Sequence, residues 1–204
     1  MSRPLLISDC DEVLLHMVTH FADWLSEAHD LHFAMGNPDF GAAVTDRTGA
    51  QVGGDTLWPL LDSFFASEMH RQNIVPGAAE ALGRIGEIAD IVILTNIGDQ
   101  YHANRVEQLG QFEIRHRVLC NRGGKGRPVA ELVETMKPSA VVFVDDLPFQ
   151  HESVAKHAPD VWRLQMVAEP RLAANLPPSP HAHARIDLWA EAEAWILDRL
   201  GAEA

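Results

Sequence analysis

The chain has 204 residues, 47% of them hydrophobic, which suits one good core or a core domain with a small insert. Its formal net charge of −13 repels phosphate backbones, so no nucleic-acid partner is expected through a basic face, and no apolar stretch reaches the length of a membrane span. Two cysteines, Cys10 and Cys120, make no disulfide framework, and the start "MSRPLLISDC" lacks the long apolar block of a secretory signal, so a soluble, cytoplasmic protein is the expectation.

The first apolar run, "PLLIS" (4–8), is short and does not alternate, as expected of a strand covered on both faces. From about 14 to 75 no strong buried strand follows. "LLHMVTHFADWLSEAHDLH" repeats apolar residues at helical spacing (Leu14, Val18, Phe21, Trp24, Leu25, Ala28). "FGAAVTDRTGAQVGG" is glycine-rich and suits a small hairpin about Asp46 to Gly49. "DTLWPLLDSFFASEMH" reads as helical after Pro59. This stretch is expected to be a mainly helical insert over the C-terminal edge of the sheet, where ligands bind in such folds.

The remainder alternates. A helix over 76–89, opened by Pro76 and Gly77, precedes the strand "DIVILT" (90–95). A helix over 99–110 closes on Gly110 as a C-cap. Another, over 127–136 after Gly126, precedes the strand "AVVFVDD" (140–146). "VWRLQM" (161–166) is more polar and suits a place near an edge; "ARID" (184–187) is a fifth candidate strand after a Pro-rich loop, in which "HAH" (181–183) reads as solvated rather than metal-binding. A helix over 188–201 ends the chain. This order predicts an α/β fold with an open parallel, Rossmann-like sheet.

Three of the runs end in chemistry. The first stops at Asp9 and Asp11, the second at Thr95 and Asn96, the third at Asp145 and Asp146. In a parallel sheet these ends share one edge. Four carboxylates so close repel one another unless a cation sits among them. An oxygen-rich cage of this kind suits Mg²⁺, which takes a few carboxylates together with water and a substrate phosphate.

These residues also resemble a family. "LLISDCDEV" resembles the first motif of the haloacid dehalogenase superfamily, a strand followed by Asp-x-Asp. "IVILTN" resembles its second motif, "GGKGRPVAEL" offers Lys125 for the third, and "VVFVDDLPFQ" resembles the fourth, an acidic pair after a strand. All four stand in the family's order over essentially the whole chain, and the insert lies where the family often carries a helical cap. The resemblance implies a core domain over 1–14 and 76–204 with a cap over 15–75. It implies a Mg²⁺-dependent phosphatase acting on a small phosphorylated metabolite. Asp9 would be the nucleophile, and Asp11 general acid and then base. Thr95, Asn96 and Lys125 would hold the phosphoryl group, and Asp9, Asp11 (through its carbonyl), Asp145 and Asp146 the metal.

Glu12 departs from the family, where glycine is usual. Its readings are a side chain that narrows the entrance or an acid that starts a helix. Gln150 stands nearest to where relatives carry a further metal-shell residue. Dehalogenation, phosphomutase transfer and a silent phospho-ligand module are the alternatives on the same fold. Dehalogenation needs neither the metal cage nor Asp11. Of the insert residues that could meet substrate (Trp24, His32, Phe40, Arg47, Trp58), the two tryptophans read as cap core and Arg47 as solvated. The particular phosphomonoester and the oligomeric state are not legible in the sequence.

Overall fold

The computed structural model describes residues 2–37 and 39–201. Six strands, β1 (Leu5–Ser8), β4 (Asp90–Thr95), β5 (Arg117–Cys120), β6 (Val141–Asp145), β7 (Trp162–Gln165) and β8 (Ala184–Arg185), form one parallel sheet in the order β5-β4-β1-β6-β7-β8. A separate antiparallel pair, β2 (His32–Phe33) and β3 (Val44–Thr45), lies in the insert. The helices are α1 (Val18–His29), α2 (Gly54–Ser67), α3 (Ala78–Ile88), α4 (His102–Gln111), α5 (Gly126–Met136), α6 (Pro148–His157), a single turn α7 (Pro170–Ala173) and α8 (Trp189–Leu200).

The unbroken apolar runs follow from burial on both faces. Side chains alternate along a strand, so each face of the sheet takes every second residue. Leu6, Ile91, Ile93, Val142 and Val144 pack with α3 and α8 through Leu82, Ile85, Trp189 and Ile196. Leu5, Ile7, Val92, Leu94 and Phe143 pack on the other side with α5 and α6 through Val129, Leu132 and Val154. The insert has its own core, in which Phe21 meets Phe64 edge-on at 5.4 Å, and Ile97 and Leu172 of the core loops join it. The indole N–H of Trp189 donates to the Val13 carbonyl at 2.8 Å, tying α8 to the loop after β1.

Several expectations change. β5 is a strand that the sequence does not predict; it is four residues long, opens on exposed Arg117, and sits at the sheet edge, so its apolar signal is short. α1 begins at Val18, because Leu14 and Leu15 are used by the loop: Leu15 bridges to Asp11 and Ile74. α2 begins at Gly54 and runs through Pro59; the hydrogen bond that proline forgoes would fall on the carbonyl of Asp55, an exposed first-turn residue. Gly110 is not the C-cap of α4. The helix continues to Gln111, and the left-handed residue that ends it is Glu113, at φ 63°. α6 and α7 fill segments that carried no helical expectation. Trp24 is core, whereas Trp58 is 54% exposed. The expected turn at Asp46 is present, with the Asp46 carboxylate accepting from the Thr48 and Ala50 amides and Thr45 bridging to Gln51.

Candidate active site

Register brings the strand ends together. Ser8 lies beside Ile93 of β4 and Val144 of β6, and the Asp9 amide donates to the Val144 carbonyl at 2.8 Å. Asp9, Thr95 and Asp145 therefore leave three adjacent strands at one edge. Carboxylate oxygens of Asp9, Asp145 and Asp146 lie within 4.8 Å of one another, the one such acidic group among the described residues. All three residues are buried.

Lys125, at the start of α5, reaches into this group. Its Nζ is 2.7 Å from Asp9 Oδ1 and 2.6 Å from Asp145 Oδ2. Burial alone would lower its pKa, but Asp145 and Asp9 push it up, so the ammonium is retained. Asp9 Oδ1 also accepts from the Cys10 amide at 2.7 Å, which leaves Oδ2 as the carboxylate oxygen without a hydrogen bond among the described residues. Asp145 Oδ1 accepts from the Leu147 amide, and its backbone carbonyl accepts from His151 Nε2 at 2.9 Å. Burial pushes the Asp9 carboxyl up to about 7, against the pull of Lys125. Burial, then the charges of Asp145, Asp9 and Glu12, hold Asp146 well above the usual carboxylate range. One lysine does not neutralise three buried acids. The donor set is all oxygen, and the residual negative charge is what a hard divalent cation such as Mg²⁺ would relieve, so these residues fit such an ion.

Thr95 is fully buried and its hydroxyl has no hydrogen-bond partner, as expected of a donor reserved for a ligand oxygen. Asn96 is exposed and serves the neighbouring loop: its Nδ2 donates to the Gly123 carbonyl and its Oδ1 accepts from Asn121. Gln150 is not directed to the acids. Its Oε1 accepts from the Lys125 amide at 2.7 Å and its Nε2 donates to Gly123, so it fixes the backbone that carries Lys125.

Glu12 proves to be the helix-starting acid. It adopts a left-handed backbone, φ 59°, and its buried Oε1 accepts from the Met17 and Val18 amides at the start of α1; burial pushes its carboxyl up to about 7 against the pull of those amides. Asp11 lies apart from the acidic group. Its carboxylate meets the guanidinium of Arg105 on α4, at 2.9 and 3.0 Å, and the amide of Gln72, at 2.7 Å. Neither Arg105 nor Gln72 was singled out in the sequence. Among the implied cap contacts, Arg47 pairs with Asp30 at the surface, and His32 is exposed.

Gly126 follows Lys125 at the point where α5 crosses α6. A Cβ there would overlap the Ser153 carbonyl. Gly126→Ala is expected to cost about 1–3 kcal/mol by overpacking and to move Lys125 with it. A urea midpoint unchanged from the native protein would contradict this.

No family model matches the sequence, and comparison with curated proteins finds no match. Solved structures do match in fold. A protein described as a predicted phosphoglycolate phosphatase from Haemophilus somnus aligns at TM-score 0.68 and 12% identity, covering 94% of this chain and 97% of its own. A magnesium-bound protein assigned as a HAD-hydrolase, from Bacillus subtilis, aligns at TM-score 0.67 and 14% identity, covering 96% and 99%. A haloacid dehalogenase-like family hydrolase from Xanthomonas campestris aligns at TM-score 0.60 and 14% identity, covering 98% and 97%. At such identities the likeness is one of fold, and the fold is that of the haloacid dehalogenase-like hydrolases.

Proposed function

We propose that the protein is a phosphatase that hydrolyses a small phosphomonoester, with residues 15–75 as a cap over the site. The observation that carries this reading is the meeting of Asp9, Asp145, Asp146 and Lys125 at the edge shared by β1, β4 and β6. Asp9 Oδ2 attacks phosphorus, and the bond from phosphorus to the leaving oxygen breaks. Asp11 gives that oxygen its proton. Water then attacks the aspartyl-phosphate, its proton passes to Asp11, and Asp9 is regenerated. Lys125 and the free Thr95 hydroxyl hold the phosphoryl oxygens, with Asn96 at the rim. Asp9, Asp145 and Asp146 would hold Mg²⁺, which supplies charge neutralisation at the phosphoryl group.

The fold of relatives described as phosphatases supports the reaction class, and the magnesium-bound neighbour supports the choice of ion. Asp11 and the metal-fitting acids beside Asp9 support phosphoryl transfer over dehalogenation, which has no use for either. The test is hydrolysis of p-nitrophenyl phosphate with Mg²⁺, with EDTA, and with Mg²⁺ restored. Turnover should require the ion. Undiminished turnover in EDTA would remove the metal from the reading.

A further inference from the structure

Arg105 is the largest charged side chain sealed among the described residues, with no exposed surface, and it lies on α4 rather than on any strand end. A guanidinium taken out of water needs a carboxylate, and Asp11 is the one that meets it. Its remaining contacts are neutral. Nη1 donates to the Gln72 and Gln108 side-chain oxygens at 3.3 and 3.1 Å and lies 3.3 Å from Cys10 Sγ. Gln108 in turn donates to Gln72 and to the Met69 carbonyl. Three parts of the chain meet here: the loop after β1, α4, and the segment that returns from the insert to α3.

The contacts to Asp11 are unequal. Oδ1 accepts two hydrogen bonds, from Arg105 Nη2 at 2.9 Å and Gln72 Nε2 at 2.7 Å. Oδ2 accepts one, from the same Nη2 at 3.0 Å. A carboxylate oxygen has two lone-pair sites, so Oδ1 is filled and Oδ2 keeps one open. We infer that Arg105, with Gln72, is the positioning residue for Asp11, and that it directs proton exchange with the leaving oxygen and then with water to Oδ2. In the first step the O–H bond at Oδ2 breaks as the leaving oxygen gains its proton; in the second, water's proton returns to Oδ2. The inference rests on the phosphoryl-transfer reading and adds a residue to it. Without that contact the carboxylate would be free to rotate and to present either oxygen, or neither.

The protein with Mg²⁺ and two substrates, p-nitrophenyl phosphate and a simple alkyl phosphate, tests it. An alkoxide needs its proton as the bond breaks; a nitrophenolate does not. Arg105→Met should lower kcat on the alkyl phosphate by about 10²-fold, the scale of a misplaced catalytic group, with KM within about threefold. The burst of nitrophenolate in the first turnover should fall by less than about tenfold, because that step draws little on Asp11. Arg105→Lys should recover at least about tenfold of the alkyl loss, since the ammonium can still meet Oδ1. An equal loss of first-turnover rate on both substrates, or no loss in a folded variant, overturns the inference and leaves the phosphatase reading standing. If Arg105→Met does not fold, Gln72→Leu carries the same comparison by freeing one donor from Oδ1: a larger alkyl loss supports the inference and an equal one overturns it. No turnover of either substrate by the unaltered protein overturns the phosphatase reading and the inference together.

Discussion

Asp9→Asn is expected to remove turnover while leaving the protein folded. The change keeps the shape of the side chain, and an amide oxygen at the Oδ1 position can still accept from the Cys10 amide and from Lys125. It also takes one negative charge from a buried group that has three acids and one lysine, so repulsion toward Asp145 falls as attraction to Lys125 is lost. These changes oppose one another, and a small net effect on the melting temperature follows. The chemistry has no such compensation. An amide is a poor nucleophile toward phosphorus, and loss of a covalent nucleophile in an enzyme costs on the order of 10⁶-fold in kcat. Mass spectrometry of the native protein quenched during turnover should find the phosphoryl group on the peptide that contains Asp9. Substantial turnover by Asp9→Asn, or a phosphoryl group on another peptide, would transfer the role of nucleophile elsewhere.

The residues of the acidic group were readable because the physics that buries them is local. β1, β4 and β6 lie at the centre of the sheet, and burial on both faces demands the continuous apolar runs that end in Asp9, Thr95 and Asp145. One carboxylate after such a run can cap the next turn, as Asp145 does for the Leu147 amide; two acidic pairs and a threonine at three such ends have no local reason to coincide. Lys125 was readable only through the family pattern, since a lysine before a helix is ordinary. Arg105 had no signal at all. Within α4 it reads as one more charged residue on an amphipathic helix, and its partner Asp11 is 94 positions away. Gln72 is silent for the same reason, and Gln150 was marked only by its place after the fourth motif: their work is to satisfy particular backbone and side-chain groups that only the folded chain brings near. Glu12 lay between. Its place in the motif marked it as unusual, but its role depends on α1 starting at Val18, four residues later than the periodicity predicts.

Lys125→Met should damage both stability and rate, and the response to Mg²⁺ should separate the two. Lys125 is buried and supplies the ammonium between Asp9 and Asp145. Removing one partner of a buried ion pair typically costs about 3–5 kcal/mol, because the other charge is left uncompensated. For a chain of this size, that corresponds to a fall of roughly 6–20 °C in melting temperature. Without metal, the stranded acids can lower their energy by binding protons. Asp9 shows the direction in the native protein, its carboxyl rising from 3.8 to about 7 through burial. A folded state that binds a proton more tightly than the unfolded chain loses stability as pH rises between those two values. Measured in EDTA, the variant's deficit should therefore grow across that window and beyond, since loss of Lys125 raises the acids further. A divalent cation bound by Asp9, Asp145 and Asp146 would take over the neutralisation, and ligand binding to the folded state stabilises it by RT ln(1 + [L]/Kd). With the competing ammonium gone, saturating Mg²⁺ should raise the variant's melting temperature more than the native protein's. Turnover should not return with it. The ammonium is also a donor to the phosphoryl oxygens as charge builds on them, and loss of one such donor costs about 10²–10³-fold in kcat. Equal melting temperatures with Mg²⁺ and with EDTA, in both proteins, would show that the three carboxylates do not hold the ion. Recovery of rate together with stability would show that Lys125 only balances charge.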